Sequence, residues 1–451
     1  MDASTIILGF TGSIGSGCTY IAESIPKNAD IEYKYFKLSD TLRDILKSEG
    51  INSPSVSELQ DKGNALRAEH GKGFLVKVLL EKIENEADID INAGIIIDGI
   101  KNEGEIKTLR QFPHFFLFSV HSDNSIRQKR SNLSESEFNA IDDRDRFEEF
   151  SYGQQVKKCN YLSDVILLNE RKYTSADIQG KKEFISKIYH KYVKLVELLK
   201  SGEKSAEHNP SDNELCMTTA YAVSRMSSCL KRKVGAVITN SSKKEKVDTG
   251  IINSLPCIVS TGYNEVPFGS YKCIYHPEFQ KCYRDFLQEA HANKIKHCPE
   301  CGLKIEYQIE CPECKSKYKK YMKFCLECKI ELEDKFKCEG CGTEIFKEFL
   351  PGEKNTPGKL LDMCRALHAE ENALLNLINN KNINNDDFVL FVTTQPCNLC
   401  ANKIVSTGIK KVIFEEPYSM KESVEILEAG GVTIERFQGV KSSAFFKLYQ
   451  Q

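Results

Sequence analysis

Four residues in the last quarter of the chain have the types and spacing of a catalytic metal site. His368-Ala-Glu370 is followed, 27 residues after Glu370, by Cys397-Asn-Leu-Cys400 with Pro396 in front. One imidazole and two thiolates suit Zn²⁺, and three protein ligands leave its fourth position open to water. Glu370 is not needed as a ligand. It is therefore available to take a proton from the activated water and deliver it to a substrate and its leaving group.

The surrounding pattern predicts the elements that position these residues. Apolar residues at helical spacing predict a helix over 369–378, and the apolar run 388–392 predicts a buried strand leading to the second Cys pair. That pair would open a further helix over 398–407, whose first amides favour thiolates. The alternative is a structural zinc site beside a coincidental Glu. We favour the catalytic interpretation because structural zinc sites are normally closed by four protein ligands.

Length and composition indicate a soluble protein of two or three domains. The chain has 451 residues, of which 41% are hydrophobic, and a net charge of -2, which argues against wholesale nucleic-acid binding. Its 18 Cys include ten in Cys-x-x-Cys pairs, so we expect bound metal in a reducing, cytoplasmic compartment rather than a disulfide scaffold. No signal peptide is expected, and no apolar run approaches the roughly 20 residues that span a bilayer.

The N-terminal part opens on a glycine-rich loop. The first predicted strand runs into Gly12-Ser-Ile-Gly15-Ser-Gly17-Cys18-Thr19, the P-loop frame G-x-x-x-x-G-K-[ST] with Cys18 at the lysine position. Such a loop can cradle an anion through backbone amides. The mobile charge that stabilises a transferring phosphoryl group is missing. A glycine-rich turn without a ligand is the alternative.

Further along, a buried strand ends at Asp98, and arginine-rich segments follow. With the loop, these features resemble nucleoside and deoxynucleoside monophosphate kinases over about residues 5 to 170. The resemblance implies that Asp98 faces a magnesium ion and that five arginines lie near phosphate: Arg43 and Arg67 beside a monophosphate, and Arg127, Arg130 and Arg144 in a lid. Singly, each Arg could be a solvated surface charge. We expect this domain to bind a regulatory nucleotide with Mg²⁺ and to have no appreciable kinase activity.

A helix and a linker are predicted between the two functional parts. Apolar residues recur at helical spacing from Lys182 to Leu199, and the polar stretch 201–211 marks a boundary. We expect the N-terminal domain to control the rest through this helix, with reciprocal effects. The predicted domains are residues 1–172 (P-loop kinase-like), 173–211 (connecting helix and linker) and 212–451, which contains an insertion at 292–350.

After the linker the pattern is that of a second α/β domain. A helix over 215–229 and strands over 234–239 and 256–262 precede the predicted catalytic helix, and a strand at 411–414 follows the Cys pair, which predicts a mixed sheet with helices layered on it. With the H-x-E…P-C-x-x-C signature, Gly262-Tyr-Asn264 and Pro417-Tyr418, this half resembles deoxycytidylate deaminases, which belong to the cytidine deaminase superfamily. The resemblance implies that Asn264 hydrogen-bonds the substrate nucleotide. The alternative is an Asn in a turn of left-handed backbone.

Between Tyr263 and His368 lies more chain than that fold requires. It carries four Cys-x-x-Cys pairs whose starts are separated by 13, 14 and 13 residues: Cys298/Cys301, Cys311/Cys314, Cys325/Cys328 and Cys338/Cys341. We predict a double zinc ribbon with two structural zinc ions, the first four Cys on one ion and the last four on the other, with crossed pairings open.

Two weaker features accompany the ribbons. Cys273, His276, Cys282, His291 and His297 offer a conceivable third metal site. The stretch 315–323 carries five Lys and two Tyr, and we interpret it as a charged ribbon surface in preference to an RNA-contacting patch.

Taken whole, the arrangement resembles the bacterial dCTP deaminases of anti-phage defence. The resemblance implies conversion of dCTP, dCMP or both to the uridine nucleotides, which depletes a pool that a phage needs. We also expect a homo-oligomer without a membrane partner, and the regulator is left open between a nucleotide effector, a regulatory RNA and a phage-derived trigger. Two alternatives stay open. One is a polynucleotide deaminase acting on RNA or single-stranded DNA, and the other is a non-catalytic nucleotide sensor, which would predict loss of Glu370 or of a zinc ligand.

Overall fold

A computed structural model describes most of the chain. The described residues are 4–27, 29–85, 94–146, 148, 150–170, 178–203, 208–240, 244–247, 250–253, 257–287, 298, 300–304, 309–318, 325, 327–328, 330, 335–338, 340–346, 364–379, 388–418 and 421–449. The chain divides into two compact units. One comprises Met1–Tyr221, Val237–Val259 and Ile383–Gln451, and the other comprises Ala222–Ala236 and Ser260–Asn382. The predicted domain boundaries stay predictions.

The first unit begins with a parallel α/β sheet, as the sequence predicts. Its first five strands are β1 Ile7–Gly12, β2 Tyr33–Lys37, β3 Gly94–Asp98, β4 Phe115–His121 and β5 Val165–Leu168. The order is β5-β4-β1-β3-β2, and each neighbouring pair is parallel. The polar loop of the P-loop frame therefore follows a central strand, at the edge where parallel strands end and ligands of such sheets bind.

Helices cover both faces of this sheet, because its strands present apolar side chains to both faces. They are α1 Cys18–Ser24, α2 Leu38–Ser48, α3 Val56–His70, α4 Phe74–Asn85, α5 Glu103–Leu109, α6 Asn124–Ser131, α7 Glu135–Arg146, α8 Val156–Leu162, α9 Ile178–Ile188 and α10 Lys194–Ser201. Leu8 and Phe10 enter the core under α1, whereas Ile7 enters the core under α2 to α5.

The predicted helix from Lys182 to Leu199 is present, with a π-helical segment, Tyr189–Val193, between α9 and α10. Its apolar residues, Tyr189 and Val193 among them, lie in the same core as Leu8 and Phe10. The helix is therefore part of the first sheet's core.

A second sheet carries the predicted catalytic strand. Its strands, in spatial order, are β16 Thr433–Arg436, β15 Lys411–Glu416, β14 Phe388–Thr394, β6 Gly235–Asn240 and β9 Ile258–Tyr263. β14, β15 and β16 are parallel. The accompanying helices are α11 Asp212–Ser224, α12 Ala369–Asn379, α13 Asn398–Ser406 and α14 Lys421–Ala429. The predicted helix 215–229 was too long, because Arg225, Met226 and Ser227 bond the carbonyls three residues earlier, in turns that end α11.

Three small hairpins complete the described strands. β7 Lys244–Val247 pairs with β8 Gly250–Asn253, and two further antiparallel pairs lie in the ribbon segment: β10 Ile309–Glu310 with β11 Lys317–Tyr318, and β12 Lys335–Lys337 with β13 Glu344–Phe346. No described helix is long and apolar enough to cross a membrane.

The end of the chain completes the first sheet. β17, Gly439–Val440, pairs antiparallel with β5, so that Val440 lies opposite Val165. The last helix, α15 Ser442–Leu448, places Ala444 and Leu448 in the core that contains Leu8 and Phe10. Residues more than 400 positions apart in sequence therefore form one core.

We predict that Leu448→Ala destabilises the first unit by about 2–5 kcal/mol, since it leaves a cavity beside a 0% exposed side chain. Phe446 is on the same helix and 66% exposed, so Phe446→Ala should change stability by less than about 0.5 kcal/mol. Urea unfolding followed by circular dichroism, with hydrogen exchange of β5 amides to assign the transition, measures both. Equal stability of the two variants would contradict the placement of α15.

Candidate functional site

The predicted catalytic helix begins directly after the predicted histidine ligand. The backbone amide of His368 donates to the carboxylate of Glu371 at 2.6 Å, and α12 starts at Ala369. This contact fixes the first turn, because the first amides of a helix have no partner inside it. Glu370 lies in that turn and is 4% exposed. His368 and Glu370 are thereby held on one short, anchored segment.

The two cysteines are placed by a strand and the helix after it. β14 is buried along most of its length and ends at Thr394. Cys397 then caps α13 with extended backbone, and its carbonyl accepts from the amide of Ala401 at 2.8 Å. Cys397 and Cys400 are 5% and 0% exposed.

The three predicted ligands converge. One ligand atom from each of His368, Cys397 and Cys400 lies within 4.8 Å of the others. A tetrahedral zinc ion with bonds of about 2.1 Å to nitrogen and 2.3 Å to sulfur needs ligand atoms roughly 3.5 to 3.8 Å apart. The residues therefore fit a zinc ion after small adjustments. With three ligands, such a site is open to water.

Asn264 has a structural role in addition to any contact with substrate. Its side-chain oxygen accepts from the amide of Val234 at 2.8 Å, and its side-chain nitrogen donates to the carbonyl of Arg232 at 2.9 Å. It is not among the described residues with left-handed backbone, so it is not a turn residue of that kind. An Asn amide has one further donor and one further lone pair. Substrate binding by Asn264 stays a prediction and would use those.

Gly262, two residues before Asn264, allows β9 to approach helix α12 closely. A Cβ on this residue would lie 2.3 Å from the carbonyl oxygen of Ala369 and 2.3 Å from the amide nitrogen of Ala373. Two side-chain hydrogen bonds join β9 to α12: the hydroxyl of Ser260 donates to the carbonyl of Ala373, and the amide of Asn372 donates to the carbonyl of Tyr263. A larger residue at 262 would push α12 and its Glu370 away from β9.

The eight ribbon cysteines form two clusters, but the expected grouping is wrong. One cluster contains Cys298, Cys301, Cys338 and Cys341, and the other contains Cys311, Cys314, Cys325 and Cys328. The first pair thus joins the fourth, and the second joins the third. The nearly equal spacing of the four Cys-x-x-Cys pairs does not distinguish this grouping from the sequential one. Short connecting loops favour the sequential grouping, but each hairpin carries one pair at its tip and meets a pair from outside that hairpin.

Both clusters have the dimensions of closed zinc sites. Sulfur atoms lie 3.5 Å apart in Cys298 and Cys341 and 3.4 Å apart in Cys311 and Cys328. Four thiolates around a tetrahedral zinc ion are roughly 3.8 Å apart. Hydrogen bonds from the side chain and backbone of Thr343 lower the pKa of Cys341 to about 6, which favours the thiolate that a metal requires.

Two other predictions concern the inserted segment: a third metal site and a lysine-rich stretch. Cys273, His276 and Cys282 belong to none of the metal-compatible groups found among the described residues, and the His276 ring stacks on Phe279 at 3.8 Å. His291 and His297 lie outside the described residues. Of the lysine-rich stretch, residues 319–323 also lie outside them.

The P-loop frame adopts a strand, loop and helix conformation. Gly15 and Gly17 have φ values of 75° and 82°, which only glycine adopts readily. Asp98, 1% exposed, accepts from the hydroxyl of Thr19 at 2.6 Å and from the thiol of Cys18 at 3.3 Å. Burial and the neighbouring Asp98 raise the pKa of Cys18 well above its usual value. Cys18 is therefore a neutral donor to Asp98.

The predicted phosphate-binding arginines are mostly engaged in ion pairs. Arg127 pairs with Asp142 and donates to the carbonyl of Ile14, and Arg67 pairs with Glu105 at 2.7 Å with both side chains buried. The remaining pairs are exposed or partly exposed: Arg43 with Asp40, and Arg144 with Asp61 and Glu148. Arg130 donates to the carbonyls of Gly15 and Ser16 in the loop.

Comparison with known proteins finds a match for the region that contains His368, Cys397 and Cys400. Residues 210–416 match the family model described as the cytidine and deoxycytidylate deaminase zinc-binding region. This part of the chain, residues 210–416, is therefore similar to that family and is called the deaminase region below.

Relatives of the deaminase region extend the match along the chain. The deoxycytidylate deaminase of Schizosaccharomyces pombe is 23% identical over 363 residues, which cover 78% of this chain and 79% of that protein. That length exceeds everything after Ser211, so the match includes part of the N-terminal half. The deoxycytidylate deaminase of Enterobacteria phage T4 is 28% identical over 219 residues, 48% of this chain and 84% of that protein. The corresponding enzyme of Saccharomyces cerevisiae is 35% identical over 96 residues, 21% of this chain and 30% of that protein.

Two polar residues whose hydrogen-bond partners lie far away in sequence were not predicted. Lys101 reaches the start of the P-loop, with its ammonium 3.0 Å from the carbonyl oxygen of Gly12. Glu214, 0% exposed, accepts from the amide of Val440 at 2.7 Å. Ser211-x-x-Glu214 has the spacing of a helix start, but no local signal links Glu214 to Val440 or Lys101 to Gly12.

The grouping of the ribbon cysteines can be tested by counting metal ions. We expect about three zinc ions per chain, one catalytic and two structural. Cys311→Ser with Cys325→Ser should cost one ion, because both residues belong to one cluster, whereas Cys311→Ser with Cys341→Ser should cost two. Metal analysis of the folded variants distinguishes the groupings, since sequential sites predict two ions lost for the first pair of changes.

Proposed function

We propose that the deaminase region hydrolyses the exocyclic amine of a deoxycytidine nucleotide in a zinc-dependent reaction. Water adds at C4 of the cytosine ring, the C4–N4 bond breaks, and the products are the uracil nucleotide and ammonia. The substrate is dCMP, dCTP or both, and the products are dUMP or dUTP accordingly. The observation that carries the proposal is the convergence of His368, Cys397 and Cys400 with Glu370 buried two residues from the histidine.

These residues divide the chemistry between them. His368, Cys397 and Cys400 would hold the zinc ion, which supplies a water acidic enough to be deprotonated near neutral pH. Glu370 would take one proton from the attacking water and pass it to N3 of the ring, and would then carry the proton of the newly formed hydroxyl group to the departing amino group, which leaves as ammonia. Because Glu370 is 4% exposed, its carboxylate works in a site that is largely shielded from bulk solvent.

The choice of a free nucleotide over a polynucleotide rests on charge and on the relatives. The net charge of -2 offers no general attraction for a nucleic-acid backbone. The named relatives are deoxycytidylate deaminases, which supports dCMP. The resemblance to defence enzymes supports dCTP and an antiviral role. A regulatory nucleotide, an RNA or a phage-derived trigger, and homo-oligomeric assembly, belong to the same proposal.

The proposed cytoplasmic location is supported by the state of the cysteines. All 18 lie within the described part of the chain, and none of them forms a disulfide bond there, including the ten in Cys-x-x-Cys pairs. Thiolate metal ligands persist in a reducing compartment, where disulfides are rare.

Ammonia release from separate incubations with dCMP, dCTP, CMP and single-stranded DNA tests the proposal. We expect turnover with one or both deoxycytidine nucleotides and little with CMP or DNA. Turnover with DNA alone would replace the proposal by polynucleotide deamination. Absence of turnover with all four, in protein that holds its catalytic zinc, would favour the sensor.

Glu370→Gln should lower turnover by about 10²–10⁴-fold, because the amide cannot accept the proton. It should leave the zinc content unchanged, since Glu370 is not a ligand. Glu371→Gln is the matched control on the same helical turn: its amide oxygen can still accept from His368, so turnover should stay within a few-fold of wild type. Near-normal turnover of the Glu370 variant would refute the proton-transfer role.

A further inference from the structure

The P-loop frame has a positive charge close by, supplied by a residue outside the frame. Lys101 lies three residues after the end of β3, and its ammonium is 3.0 Å from the carbonyl oxygen of Gly12 and 2.8 Å from a carboxylate oxygen of Asp145. Its side chain is 23% exposed, so the group is neither sealed in the core nor free in solvent. The ammonium lies close enough to Cys18 and Asp98 for both to contribute to the raised pKa of Lys101. It therefore lies beside the position that the usual P-loop lysine would occupy.

A lysine ammonium has three protons to donate. Among the described residues, Lys101 has two hydrogen-bond acceptors, Gly12 and Asp145. One donor direction is left for a ligand. The pKa of Lys101 is raised, because the attraction of Asp145 outweighs the effect of burial, so the group carries its charge at neutral pH.

Buried polar atoms around Lys101 point to a ligand as well. The hydroxyl of Ser16, in the loop and 1% exposed, has no hydrogen-bond partner within the described part of the chain. A Cβ added to Gly12 would lie 2.5 Å from that hydroxyl, so Ser16 and Lys101 both approach Gly12. An unpartnered buried hydroxyl costs stability unless something binds it.

Two glutamines extend the same cluster. The side-chain oxygens of Gln60 and Gln155, each 5% exposed, also lack partners among the residues that the structure describes. Gln60 donates to Asp145, which pairs with Lys101, and the backbone amide of Gln155 donates to the carbonyl of Lys101. Unpartnered acceptors beside a cation suit a ligand that has both an anionic part and hydrogen-bond donors.

We propose that Lys101 replaces the missing P-loop lysine and that Lys101 and Ser16 bind the phosphate chain of a nucleotide. The acceptors on Gln60 and Gln155 would receive donors from its sugar or base. Lys101 is held by Gly12 and Asp145 and cannot follow a phosphoryl group as it moves. The site therefore binds a nucleotide without transferring phosphate, which agrees with the thiol at Cys18.

Titration calorimetry of the full-length protein with inorganic tripolyphosphate, ATP and dTTP tests the proposal. We expect ATP or dTTP to bind, and tripolyphosphate to bind more weakly. Lys101→Met should weaken binding about 10- to 100-fold, in the range for a charged hydrogen bond, and Lys101→Arg should keep it within a few-fold. Lys107→Met, a change at a 72% exposed lysine nearby on α5, should have no effect.

Ser16→Ala separates binding from folding. Because the hydroxyl has no partner in the described part of the free protein, its removal should leave thermal stability unchanged or slightly raised, yet weaken nucleotide binding several-fold. Lys101→Met and Ser16→Ala variants that bind all probes like wild type would overturn the proposal. So would a wild-type protein that binds none of them at millimolar concentration, or one that phosphorylates a deoxynucleoside monophosphate.

Discussion

The carboxylate of Glu214 joins three segments that are far apart in sequence. It accepts from the amide and hydroxyl of Ser211 at 2.8 and 2.6 Å, which fixes the start of α11. It also accepts from the amide of Val440 at 2.7 Å, and the ammonium of Lys191 lies 3.9 Å away. A buried carboxylate is stable only when hydrogen bonds replace its lost hydration. The first turn of the deaminase region, the end of the chain and the helix at 178–201 therefore have to meet at this residue.

Gly439 shows how tightly this junction is built. Its φ is 145°, and a Cβ would lie 2.6 Å from the side chain of Glu214. Immediately beyond it, Lys441 forms a buried ion pair with Glu415 of β15 at 3.1 Å and donates to the carbonyl of Tyr161 at the end of α8. Removing one partner of such a buried pair typically costs about 3–5 kcal/mol. The first sheet and strand β15 are thus linked by a buried ion pair, and removing either partner of that pair would strongly destabilise the protein.

The convergence of His368, Cys397 and Cys400 was predictable from short motifs, because a metal site needs a fixed set of ligand types on consecutive elements. The strand and helices around these residues follow from the same stretch of sequence. The parallel sheet of the N-terminal part was predictable for a similar reason, since each buried strand is a continuous apolar run. In each case the information lies within some thirty residues of sequence.

What could not be predicted depends on pairs of distant residues. The position of β17 beside β5 is set by two residues, Gly439 and Val440, too few to give a periodic signal. Nothing in the spacing of the ribbon cysteines distinguishes nested from sequential clusters. Lys101 could not be singled out from the sequence, because its contacts are with Gly12 and Asp145, 89 and 44 residues away.

These long-range contacts restrict how a ligand at the N-terminal site could influence deamination. Asn169, directly after β5, donates to the carbonyl of Ser16 in the P-loop frame at 2.8 Å, and β5 pairs with β17. A ligand that repositions Ser16 would act on the end of β5, and from there on the segment that carries Lys441 and meets Glu415. Such a ligand changes the affinity for substrate only if it binds two arrangements of this segment unequally, and substrate must then alter its affinity by the same factor. The contact between Ser16 and Asn169 would therefore connect a ligand at the proposed site with the core that the two ends of the chain share.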